Sequence, residues 1–141
     1  MDIRMNQATP AEILALIESV DFPEIRGSTP MDLAYTRKLH ALATRIEAWH
    51  EGDLVGIICA YTNDMESRIA HVSLLGVKKE FRGCGAVLVR RMLVYCRKKG
   101  FKALRATDID EQNVRAVALY AKLGGKTMAR DGRRLAGQIN L

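Results

Sequence analysis

The sequence predicts an α/β fold: one mixed sheet in a single domain spanning residues 1–141, with elements in the order α-α-β-β-β-α-β-α-β-β. Three observations lead there. The chain has 141 residues, 48% hydrophobic and 27% charged, which suits one ordinary core and leaves too little length for two comfortable domains. Apolar spacing switches repeatedly between the helical period and the runs or alternation of strands. No repeat, low-complexity stretch or linker interrupts that rhythm. The same composition excludes a disordered tail, a collagen-like fibre and a disulfide-stapled miniature.

The elements follow in order. Ala11 to Val20 carries Ile13, Leu14, Leu16, Ile17 and Val20 at helical spacing, with Thr9-Pro10 as the start signal. Asp21 to Thr29 reads as a loop, and Pro30 opens a second helix through Leu33, Leu39 and Leu42. Arg45 to His50 alternates, Glu51-Gly52-Asp53 turns the chain, and Leu54 to Tyr61 runs apolar, a β-hairpin pattern. Thr62 to Ser67 is polar loop and Arg68 to Val77 a third strand. Gly85 to Lys99 reads as a long helix with Leu88, Val89, Met92, Leu93 and Cys96 on one side and Gly100 at its C-terminal cap. A strand over Phe101 to Thr107 and a helix from Asn113 to Leu123 come next, the helix stopped by Gly124-Gly125. Two short strands flank Asp131-Gly132.

Charge is unevenly spread. Residues 1–76 hold 6 basic and 11 acidic side chains (−5), residues 77–141 hold 16 and 5 (+11), and together they give the net +6. Either the second half meets a polyanionic group, as in a nucleotide-like ligand, or it presents a solvated basic helix face. Only 6% of residues are aromatic and no aromatic-rich binding strand is present, so nucleic-acid binding is not expected. The longest apolar run, Leu54 to Tyr61, falls far short of the roughly 20 residues of a membrane span. Met1 to Val20 carries Asp2, Glu12 and Glu18 where a secretory leader needs a basic start and an apolar stretch. Cys59, Cys84 and Cys96 have no metal-ligand spacing among themselves or to His40, His50 and His71. These features predict a cytoplasmic protein with free thiols, no metal and no membrane contact.

The chemistry concentrates where the third strand meets the long helix, in V-K-K-E-F-R-G-C-G-A-V-L. A helix start leaves backbone N–H groups unpaired with a partial positive charge behind them. Gly83 and Gly85 let that backbone approach a phosphate with no Cβ in the way, and Arg82 adds a fixed charge. A dinucleotide fingerprint would need glycine where Leu88 stands, and a Walker loop ending in Gly124-Gly125-Lys126-Thr127 would need one in place of Tyr120.

Arg82-Gly83-Cys84-Gly85-Ala86-Val87 resembles the R/Q-x-x-G-x-G/A acyl-CoA loop of the GNAT superfamily of N-acyltransferases. Asn113 to Gly124, N-V-R-A-V-A-L-Y-A-K-L-G, resembles that superfamily's downstream N-x-x-A-x-x-L-Y-x-x-x-G helix. The resemblance implies that the third strand splays from its neighbour, often at a bulge, so that main-chain groups of Leu75 and Val77 bond the pantetheine arm and hold the acetyl carbonyl. It implies the pyrophosphate of acetyl-CoA on the amides of Gly83, Cys84, Gly85, Ala86 and Val87, with Arg82 beside it. Asn113 then meets the arm, and Tyr120 is either the acid for the departing thiolate or only a core aromatic. Arg115 or the Arg90-Arg91 pair would meet the ribose phosphate. The chain departs from the family pattern at Lys79 (usually proline), Val87 (Gly/Ala) and Gly125 (Phe), and its third strand has no glutamate.

The implied activity is transfer of an acetyl group from acetyl-CoA to a primary amine, directly within a ternary complex and without a metal. The missing glutamate leaves the base open among water, His71 and an already neutral amine. Together with Val87 it also leaves open a non-catalytic module that binds CoA or a partner. Cys84, at a helix start but with no histidine near it in sequence, reads as a bystander thiol. His71 and Ser73 alternate on the third strand toward the expected amine side. Glu18, Asp21, Glu24 and Asp32 would draw a cationic acceptor, whether amino sugar, polyamine, small amine or protein terminus. A homodimer is compatible with the resemblance.

Overall fold

The computed structural model describes residues 1–20 and 33–141. The expected Asp21 to Thr29 loop, the Pro30 helix start and the acids Asp21, Glu24 and Asp32 lie outside the described residues. The chain opens on a strand absent from the sequence expectation, β1 (Asp2–Met5), and continues into α1 (Pro10–Ser19). Thr9 and Glu12 form a reciprocal capping box: Thr9 Oγ1 accepts from the Glu12 N–H at 3.2 Å and Glu12 accepts from the Thr9 N–H at 3.0 Å. Pro10, at the first helical position, loses no bond there. α2 (Leu33–Leu42) follows, then β2 (Thr44–His50) and β3 (Asp53–Tyr61). Their two-residue turn has Glu51 at φ +50° and Gly52 at φ +83°, the doubly left-handed geometry that suits the twist of a hairpin.

β4 (Ile69–Val77) leads through a short 3-10 turn, Lys79–Phe81, into α3 (Cys84–Lys98). β5 (Ala103–Asp110), α4 (Val114–Lys122), β6 (Lys126–Asp131) and β7 (Arg134–Asn140) complete the order. The seven strands form one sheet in the order β1-β2-β3-β4-β5-β7-β6, antiparallel at every step except β4 to β5.

Two apolar layers fix the helices. On one face Ile13, Leu16 and Leu39 pack against Trp49, Ile57 and Leu74. On the other, Leu88, Met92 and Cys96 of α3 pack against Ile46, Ile58 and Leu104, with Leu119 and Leu123 of α4 alongside. A buried charge pair ties the first layer to the sheet. Glu47, fully buried, accepts from the N–H groups of Gln7 and Ala8 (2.9 Å for Ala8) and stands 3.5 Å from Arg45 Nε. Arg45 donates to the His40 carbonyl at 2.7 Å, satisfying a C-terminal group of α2. The segment that leads into the N-terminus of α1 and the C-terminal end of α2 are thereby both tied to β2. Among the described residues no helix is long and apolar enough to cross a membrane.

Candidate active site

The β4–β5 ladder runs only from Ile69↔Ala103 to Val72↔Ala106. Just past it each strand carries an extra residue. Cys59 and Ala60 of β3 face Leu74 and Val72, so Ser73 bulges out of β4; residues 107 and 108 of β5 are spanned by the step from Gly137 to Leu135 on β7. A bulge bends its strand and increases the local twist, and two at one level turn the strands apart. Lys78 donates its N–H to the Val55 carbonyl at 2.8 Å, on the β3 side. Alternation along β4 then directs the main-chain groups of Leu75 and Val77 the other way, into the opening. Those are the two residues that the sequence resemblance singled out.

At the mouth of the opening stands the N-terminus of α3. The helix begins one residue earlier than expected, at Cys84, with Gly83 as its N-cap and no side chain capping it. Gly83 has φ −62°, and Gly85 is not among the glycines with positive φ, so neither position demands glycine for its backbone. Packing does not demand it either. A Cβ at Gly83 would meet nothing within 4 Å, and one at Gly85 only Val77 Cγ2 at 3.9 Å. Glycine inside a helix costs about 1 kcal/mol relative to alanine. The room left by the two missing Cβ atoms lets an anionic group, such as a pyrophosphate, approach the first-turn amides, of which the Gly85 N–H makes only a long bond, 3.4 Å, to the Arg82 carbonyl.

Opening and helix start share a cavity of about 730 Å³. Leu75, Gly76 and Val77 line it from β4, Arg82 and Gly85 from the loop and α3, and Asn113, Arg115 and Tyr120 from the α4 side. Ser19 and Val20 reach it from the end of α1. Tyr120 is the pivotal side chain. Its hydroxyl is buried with no hydrogen-bond partner among the described residues, and burial pushes the phenol above its ordinary value. A buried hydroxyl without a protein partner is costly, and this one belongs to a residue that borders the cavity. The ring lies against two glycines: a Cβ at Gly137 would stand 3.0 Å from Tyr120 Cε1, and one at Gly125 would overlap Cδ1. Gly125, where the family usually has phenylalanine, thus makes room for the tyrosine. Nothing in the sequence links positions 120, 125 and 137, because only the fold brings β7 under α4.

The remaining expected residues fall around this centre. Asn113 caps α4, its Oδ1 accepting from the Ala116 N–H at 3.2 Å, and also lines the cavity. Gly83, Cys84, Ala86 and Val87 belong to the first turn of α3 but do not line it. Val87 is 39% exposed, so its bulk projects from the outer side and does not crowd the cradle. The Cys84 thiol donates to Met1 Sδ. His71 and Ser73 do not line the cavity either. The bulge breaks their alternation: the Ser73 hydroxyl donates to the Cys59 carbonyl at 3.3 Å, and its own carbonyl accepts from the Tyr35 hydroxyl at 3.0 Å. Arg90 and Arg91 are exposed and off the cavity, whereas Arg115 borders it.

The family model described as "Acetyltransferase (GNAT) family" matches residues 12–125, well over half of the chain. The chain belongs to the GNAT acetyltransferase family. No curated protein sequence matches it. Solved structures of the GNAT fold do, over nearly their full length. A ribosomal-protein-alanine N-acetyltransferase from Brucella melitensis is 21% identical with a TM-score of 0.73, covering 100% of both chains. PaiA N-acetyltransferase from Thermoplasma acidophilum, in complex with coenzyme A, is 17% identical with a TM-score of 0.72, again over 100% of both. The ribosomal-protein-S18-alanine N-acetyltransferase from Escherichia coli is 13% identical with a TM-score of 0.77, over 99% of this chain and 94% of that one. At these identities the likeness is one of fold.

Proposed function

We propose that this GNAT protein transfers an acetyl group from acetyl-CoA to a primary amine by direct attack within a ternary complex. The observation that carries the reading is the buried Tyr120 hydroxyl, without a hydrogen-bond partner among the described residues, on the same cavity as Leu75 and Val77. The amides of Gly83 to Val87, with Arg82 beside them, hold the pyrophosphate. Asn113 and the backbone of Val77 bind the pantetheine arm, and Arg115 meets the ribose phosphate. The Leu75 N–H receives the thioester carbonyl oxygen and stabilises the negative charge that gathers there when the amine adds.

The acceptor nitrogen, entering neutral, forms the C–N bond and releases its proton to water. The C–S bond then breaks with its electron pair on sulfur. Tyr120, kept protonated by burial, gives that sulfur a proton and is reprotonated from solvent. The acceptor approaches from the side bounded by Ser19 and Val20. Isothermal titration with acetyl-CoA and CoA tests the reading. The wild type binds both, and Gly85→Glu abolishes binding by putting bulk and negative charge on the cradle. Absence of any heat at high micromolar protein contradicts it.

A further inference from the structure

The cavity does not end where the thioester would. The last β4–β5 pair is Val72↔Ala106, and the two strands are joined below it, yet Leu104, two residues lower on β5, still lines the cavity. So does Leu123, one helical turn below Tyr120 on α4. Two strand residues correspond to about 7 Å. Beneath the Tyr120 hydroxyl there is thus a recess walled by Val72, Ala106 and Leu119 and floored by Leu104 and Leu123, all of them apolar.

The helix above it is equally telling. α4 packs Leu119 and Leu123 against one core cluster and Ala116 and Tyr120 against another, yet only in part, since none of its residues is fully buried. An amphipathic helix normally seats such a face on the core, and protein interiors leave few voids larger than a water molecule. A recess walled by apolar side chains favours apolar matter over water.

Resting on the proposed donor site, we infer that the recess holds the hydrocarbon tail of an acyl group longer than acetyl, so that the preferred donor is a straight-chain acyl-CoA of about four to six carbons. With the sulfur at Tyr120 and the carbonyl at Leu75, the tail runs down between β5 and α4. A methylene advances an extended chain by about 1.25 Å, from a C–C bond of about 1.5 Å and an angle near 111°, so a depth of about 7 Å, less about 2 Å for the radius of the terminal methyl, takes about four carbons beyond the carbonyl. The transfer step is unchanged: the C–N bond forms, the C–S bond breaks and the sulfur takes its proton from Tyr120.

Titration of the intact protein with CoA and with its acetyl, propanoyl, butanoyl, hexanoyl and decanoyl thioesters tests this. Each methylene that enters the recess tightens binding about fourfold, so affinity rises from acetyl to butanoyl or hexanoyl and falls again at decanoyl. Leu123→Phe and Leu119→Phe, which fill the floor and the wall from a helix with no fully buried residue, bring the butanoyl-to-acetyl affinity ratio back toward one. If CoA and acetyl-CoA bind but every longer thioester binds more weakly, the donor site stands and the recess assignment falls. If not even CoA binds, both fall.

Discussion

At the scale of single residues the proposed chemistry rests on a phenol. Tyr120 loses solvent on folding and gains no hydrogen-bond partner among the described residues, so its anion is disfavoured and the proton stays on through the ordinary alkaline range. That state suits an acid and disqualifies a base. Tyr120→Phe therefore lowers kcat by about 10²- to 10⁴-fold, the usual contribution of a positioned acid, while CoA affinity changes far less. In the wild type, kcat does not fall between pH 8 and pH 10, because a raised phenol remains protonated below its shifted value. A stopped thiol-release assay across that range reads both effects. An unchanged rate in the phenylalanine variant would remove the residue from the mechanism.

At the scale of elements, the site is a matter of how α4 and α3 sit on the sheet. The face of α4 is aimed by β7, since the Tyr120 ring uses the space that a side chain at Gly137 would occupy. Gly137→Ala forces the ring to give by a few tenths of an ångström, which moves the hydroxyl. The expected result is a kcat reduced by about tenfold or more with a melting temperature only slightly lowered, as misplacing a reacting group is costlier than the contact itself. Equal kcat in both proteins would show that the shelf does not aim the hydroxyl.

Elements also separate what the sequence could reveal from what it could not. Hairpin, long helix and asparagine-capped helix were legible because periodicity and turn residues are local signals. β1 was not, since four half-exposed residues carry too little alternation and are ordered only by pairing with β2. The glycines at 83 and 85 were legible as the start of a helix through their spacing before it. The placement of Ser73 was not, because a bulge reverses which face a strand residue takes. The shelf under Tyr120 and the recess floored by Leu104 and Leu123 arise from contacts distant in sequence, which no local pattern encodes.

At the scale of the whole molecule, the charge asymmetry has a place in the structure. The +11 half contains the mouth of the cavity, where Lys79, Arg82 and Arg115 all border it. Such a field would steer the proposed polyanionic donor toward the first turn of α3. Burial also sets an alkaline limit on stability. Desolvation raises the Tyr35, Cys59 and Tyr120 groups, and Cys96 to about 11. In the unfolded chain thiols lose protons near pH 8.5 and phenols near 10, before the folded groups do. The unfolded state then binds fewer protons, so stability is complete below about pH 8.5 and declines as pH rises above it. Urea midpoints at pH 7, 9 and 10.5 should fall in that order; a constant midpoint would contradict it.

The central claim is that one opening in the sheet, between β4 and β5 under the N-terminus of α3, receives the acyl-CoA. Residue-resolved amide NMR during titration with CoA tests it most directly. The account predicts the largest amide shifts at Leu75, Val77 and Gly83 to Val87, with β1 and β6 unmoved. Saturable shifts that spare those amides and cluster elsewhere would contradict it.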